Sequence, residues 1–175
     1  MNYTIQYSKI LNSINRRKKI FNEIKNNPKY KELCDILNSN SSLNKEYILL
    51  FRYYMLKYLP EKKPKKILLE RTLLDNNNST LFNFLHKGIG HDFKQGGLIQ
   101  ICISLNLSYE ESFDLFASCG CDLTAHVPIS TLCNDILKKY CKKNYENCLK
   151  KIIEIDEYCT KLGYPNFICN HKKNK

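Results

Sequence analysis

Residues 98–120, LIQICISLNLSYEESFDLFASCG, decide how the rest of the chain is read. Leu98, Ile99, Ile101, Cys102, Ile103 and Leu105 leave almost no polar face, so this stretch predicts a helix buried on all sides. Gly96-Gly97 precedes it. Ser108-Tyr109-Glu110-Glu111 then has the form of a capping box, in which the Ser108 hydroxyl and the Glu111 carboxylate satisfy free amides at a helix start. The helix it opens closes at Gly120.

Working outward, the pattern stays helical. Ile10, Ile14, Phe21 and Ile24 predict one apolar face on a first helix, with the cluster Arg16-Arg17-Lys18-Lys19 largely opposite; Asn26-Asn27-Pro28 ends it. Tyr30 to Leu37 forms a second, short helix. Leu43 to Leu59 predicts a long aromatic helix, too apolar for a single buried stripe. Pro60 and Pro64 bracket a basic turn, and Lys62 and Lys63 within it cluster with Lys65 and Lys66 just beyond it. Further helices are expected over Ile67–Leu74 and Thr80–Lys87, with the Asp75-Asn76-Asn77-Asn78 run supplying capping groups between them. Pro128 suits the first turn of the next helix, and Asn144 is a candidate cap for the last, which stops at Gly163 before Pro165. With only 6 Gly and 5 Pro in 175 residues and no alternating strand pattern, the expected fold is all-α, a compact multi-helix bundle of about nine helices. The expected organisation is a basic N-terminal helical segment (1–42), a helical core (43–125), a C-terminal helical hairpin (126–165) and a flexible basic tail (166–175).

Charge is unevenly distributed. Residues 1–66 carry 15 basic and 5 acidic side chains (+10), residues 67–130 carry 3 and 7 (−4), and residues 131–175 carry 10 and 5 (+5), for a formal +11. A basic balance points to an acidic partner, most often nucleic acid. The polar start, Met1 to Ile10, has no signal-peptide core, and no apolar run is long enough to span a bilayer. A cytoplasmic protein with no membrane partner is therefore expected. Nine cysteines in such a chain read as free thiols. Cys133, Cys141, Cys148 and Cys159 recur at helical spacing and are expected to be small buried hydrophobes. Cys119-Gly120-Cys121, with His126, and Cys169-Asn170-His171 do not match a standard zinc spacing. His86 and His91-Asp92 lack the partners a hydrolytic metal site needs. No catalytic constellation, metal or cofactor motif is read, and the chain is expected not to be an enzyme.

Residues 61–121, EKKPKKILLERTLLDNNNSTLFNFLHKGIGHDFKQGGLIQICISLNLSYEESFDLFASCGC, resemble the Cro/Xre (lambda-repressor-like) helix-turn-helix family. The likeness is nearest to a group common in clostridia and their relatives. The resemblance implies that Lys65–Thr72 is the first helix of the motif, Leu73 to the Asn run its turn, and Ser79–Gly88 the recognition helix with its terminal glycine. Residues 98–105 and 108–120 would complete the bundle. A recognition helix enters the major groove by its N-terminal residues. Asn pairs with adenine, and Ser and Thr contact bases or phosphates, which assigns base reading to Asn76, Asn77, Asn78, Ser79, Thr80 and Asn83. Lys65, Lys66, Arg71 and Lys87, with Arg16, Arg17, Lys18 and Lys19 from the N-terminal helix, are the expected phosphate contacts.

Two functions follow. The first is a DNA-binding transcription regulator of phage or mobile-element type, acting as a homodimer on two half-sites. The second uses the same scaffold for protein contact, as a small anti-CRISPR-like inhibitor or adaptor of a nucleic-acid enzyme. The −4 middle segment favours the second, and the +10 N-terminal segment fits both. Single-strand binding through Tyr47, Tyr53, Tyr54 and Tyr58 is a third reading, weaker than core packing because these tyrosines lie in a strongly apolar helix.

Overall fold

The computed structural model describes residues 3–38, 45–59, 64–74, 95–143 and 146–168. Within them the chain is an all-α bundle: α1 Tyr3–Asn26, a 3-10 turn Pro28–Tyr30, α2 Lys31–Asn38, α3 Lys45–Tyr58, α4 Pro64–Glu70, α5 Gln95–Ser104, α6 Tyr109–Ser118, α7 Pro128–Tyr140 and α8 Cys148–Lys161. No helix among the described residues is long and apolar enough to cross a membrane.

The centre is α5, in which every residue from Gly96 to Ser104 is buried. Its uniform apolarity leaves no face for water, so neighbours must surround it. Helices α7 and α8 pack on it, while α6 packs on α1, α3 and α7. The helix starts at Gln95, ahead of the Gly96-Gly97 pair that the sequence places before it. Gly96 is there for space: a Cβ would fall 1.9 Å from the Phe167 carbonyl oxygen. The chain after α8 thus lies directly on the α5 backbone. Ile168 is buried, and its carbonyl accepts from Gln100 Nε2 at 2.7 Å. The tail expected from residue 166 onward therefore begins as packed chain, and residues 169–175 lie outside the described set.

Local signals place the other helix ends. Ser108 accepts from the Glu111 amide at 3.1 Å, and Glu111 Oε2 accepts from the Ser108 amide at 2.9 Å, closing the box. Gly120 and Gly163 take φ of +74° and +86°, where a side chain would be strained. Pro128 opens α7. The cap of α8 is Asn147, accepting from the Lys150 amide at 2.9 Å, three residues beyond the expected Asn144, which lies outside the described residues. In α3, Tyr47, Tyr53 and Tyr54 are buried, alongside Leu49, Leu50, Phe51 and Met55. Core packing accounts for them, and base stacking does not. One apolar core runs from Ile24 to Ile168 through all four sequence segments.

Candidate nucleic-acid interface

The motif region begins with α4, which ends at Glu70 and gives way to the turn Arg71–Leu74. Two polar residues of α5 hold this turn. Ser104 Oγ donates to the Arg71 carbonyl at 2.9 Å, and Gln100 Oε1 accepts from the Leu73 amide at 2.8 Å. Gln100 is only 2% exposed and uses both ends of its amide, one on the turn and one on Ile168. A buried amide costs stability unless both halves are paired, so Gln100 is a positioning residue whose partners must stay in register. The sequence reading passed over it because its neighbours are apolar. Its isolation in an apolar helix was the available signal.

Outside this clamp, Arg71 is exposed, with Nη1 3.4 Å from the Ser104 carbonyl. A recess of about 340 Å³ opens beside it, lined also by Glu70, Ser104, Asn106, Glu146, Asn147 and Cys148. Lys66 is exposed and lies 3.7 Å from Glu70 one turn on, a surface pair of little energetic weight. Asn76, Asn77, Asn78, Ser79, Thr80, Asn83 and Lys87 lie outside the described residues, as do His86, His91, Asp92, Cys169 and His171. Lys65 belongs to α4, and its side chain is outside the described set.

The N-terminal basic cluster divides in two. Lys18 and Lys19 are exposed. Arg16 and Arg17 turn toward the protein, contrary to the expected outward face. Arg16 makes a bidentate pair with Asp114, at 2.8 Å from Nε and 2.7 Å from Nη2, and the Asp114 side chain is 1% exposed. Arg17 Nη1 donates to Glu46 at 2.8 Å. The inward line of α1 runs through Ser13, Arg17 and Ile24, while Ile10 stands 42% exposed. An arginine fork suits a planar carboxylate, which is why two members of a basic run serve as internal fasteners.

The cysteines behave as small hydrophobes. Cys133, Cys141 and Cys159 are buried as expected, whereas Cys148 is only half-buried. Burial pushes the Cys133 thiol up to about 12 and those of Cys141 and Cys159 up to about 11, so all three stay protonated at neutral pH. Among the described residues no group of three or more His, Cys, Asp or Glu could hold a metal ion. His126 is exposed, with Nε2 3.3 Å from Gln6 Nε2. No protein-family model, curated protein or solved structure matches this chain.

Proposed function

We propose that the chain is a DNA-binding regulator of the helix-turn-helix type. One observation carries this reading. The turn Arg71–Leu73 is clamped to the buried α5 by Ser104 and Gln100, which fixes the point from which the Asn-rich segment 75–94 leaves. Lys66 and Arg71 stand exposed just before it. Base reading demands that side chains be held in register with the groove, and phosphate contacts set that register. A rigid turn flanked by cations and followed by Asn, Ser and Thr meets both needs. Phosphate contact from α1 then falls to Lys18 and Lys19, because Arg16 and Arg17 are spent on Asp114 and Glu46.

The test is binding of the full chain to the duplex upstream of its own gene, against a scrambled duplex, across a salt series. The native duplex should bind more tightly, with affinity falling steeply as salt rises. Replacing Asn77, Asn78 and Asn83 together with Ala should erase the preference without altering the helical signal. Replacing Lys66 and Arg71 with Ala should weaken both duplexes and reduce the log–log salt slope by about one for each cation removed. Equal affinity for both duplexes, or a preference untouched by the Asn triple, overturns the reading.

A further inference from the structure

A different surface carries a second function. Between α1 and α6 lies a groove of about 270 Å³, walled by Ile10 and Arg17 on one side and by Phe113, Ala117 and Leu123 on the other, with Ser13 at its base. Its rim is unusually apolar. Ile10, which lines it, is 42% exposed, and Tyr7 and Leu11, further round α1 on the outer side of Ile10, are 69 and 44% exposed. Gln6 Nε2 donates to the Thr124 carbonyl at 2.9 Å and so holds against α1 the loop that leads to Val127, itself 47% exposed. Exposed apolar side chains gathered in one place mark an interaction surface.

The groove also contains two buried donors with no acceptor among the described residues, the Ser13 hydroxyl and the Arg17 Nε–H. Ser13 is 1% exposed. Buried donors are nearly always paired, and an unpaired one costs stability. Both donors sit one turn apart on α1, and both residues line the same groove. Asp122 also lines it; its Oδ1 accepts from the Thr124 amide and hydroxyl at 2.7 and 2.6 Å, and its charge stays at that end of the groove. Away from that end the helix beside the groove is cationic: Lys9, Lys18, Lys19 and Lys25 are exposed along α1, and its one acid, Glu23, accepts from Tyr53.

We propose that this groove docks an acidic peptide segment of a partner protein. The segment inserts one large apolar side chain between Ile10 and Phe113 and sets an oxygen on Ser13 and Arg17, while its flanking carboxylates meet the lysines of α1. The surface shares Lys18 and Lys19 with the DNA reading, but its groove residues Ile10, Ser13 and Phe113 do not enter that reading, so either can fail without the other.

The test is to pan a random displayed-peptide library on the full-length chain and then titrate an enriched peptide against variants. Enriched peptides should carry a large apolar residue among Asp and Glu. Ile10→Glu, at an exposed helical position and so expected to fold, should weaken binding by more than tenfold. Ser13→Ala should weaken it about fivefold while leaving the melting temperature unchanged or raised, since it removes an unpaired buried hydroxyl. A merely structural serine would not produce that combination. The proposal is overturned if no peptide is enriched, if the peptides are neutral or basic, or if Ile10→Glu leaves binding intact. It is equally overturned if sedimentation shows a dimer that Ile10→Glu dissolves, which makes the occupant a second copy. Ile10-dependent binding to phosphatidylglycerol vesicles without peptide enrichment makes it a lipid surface and overturns the proposal too.

Discussion

Helices α5 and α1 reach the same core by opposite means. In α5, burial is complete and carried by bulk: Leu98, Ile99, Ile101, Cys102 and Ile103 leave water no access, and no charge is present. In α1, 24 residues long, most positions stay exposed. Ile24 and Ser13 are its only buried positions among the described side chains. Its attachment relies on directed polar contacts: Gln6 to Thr124, Arg16 to Asp114, Arg17 to Glu46, and Glu23 to Tyr53. Burial by bulk tolerates small rotations, whereas directed contacts specify one. The comparison teaches why a cationic helix can sit at a defined angle on this bundle while keeping an apolar rim for other contacts.

The largest effect should come from breaking α5 where bulk is already maximal. Gly96→Val places a branched side chain into the Phe167 carbonyl, at a point where even a Cβ would come within 1.9 Å. Overpacking of this severity costs about 3 kcal/mol. The cost should appear as a lower urea midpoint, together with protease cleavage near Phe167 as the Gln100–Ile168 bond is lost. An unchanged midpoint would mean that the chain after α8 does not lie on α5.

The next effect tests α1. Arg16→Ala strips the buried Asp114 carboxylate of its only hydrogen-bond donor among the described residues. Breaking a buried pair on one side costs about 3–5 kcal/mol. The Arg16 side chain is 36% exposed, which lets water approach, so about 2 kcal/mol is expected here. Arg16→Met combined with Asp114→Leu should recover most of that loss, because the penalty comes from the stranded charge and not from the missing pair. If the double variant is no better than Arg16→Ala in urea melts, α1 is held by the pair itself and the contrast with α5 sharpens.

What could be read in advance follows the same division. The burial of α5, the Ser108–Glu111 box, the Pro128 start and the glycine closures at 120 and 163 are local patterns whose physics is complete within a few residues. The inward turn of Arg16 is not local, since its partner lies 98 residues away and a basic run looks solvated wherever it occurs. Ser13 carries no signal at all until α6 is placed beside it. Gln100 and Gly96 become intelligible only once the turn at 71–73 and the segment at 167–168 are known to meet α5. For the candidate site, the exposure of Lys18, Lys19, Lys66 and Arg71 agrees with the sequence pattern. The base-reading assignment rests on the resemblance, because its residues lie outside the described set.

A smaller loss is expected at α6, the helix that receives α1. Glu111 accepts from the Ser108 amide at 2.9 Å, the Tyr58 hydroxyl at 2.6 Å and Lys57 Nζ at 2.9 Å. Burial by itself would raise its pKa, but the hydrogen bonds from Tyr58 and the Ser108 amide, with the Lys57 pair, outweigh it and hold the carboxyl below the usual glutamate range. A carboxylate depressed in the folded state adds stability above its unfolded pKa, and that stability drains away as pH falls through the lower folded value. Glu111→Gln keeps an acceptor for the box but loses the charge-assisted bonds, so about 1 kcal/mol should be lost at neutral pH. Between neutral pH and the ordinary glutamate range, about pH 4.3, the gap between the two proteins should hold. Below that range the wild type should fall toward the variant, and thermal melts in citrate and glycine buffers would show the two curves meeting. A gap that persists to strong acid would mean that Glu111 acts through shape alone, and that α6 is seated by packing, as α5 is, and not by directed contacts, as α1 is.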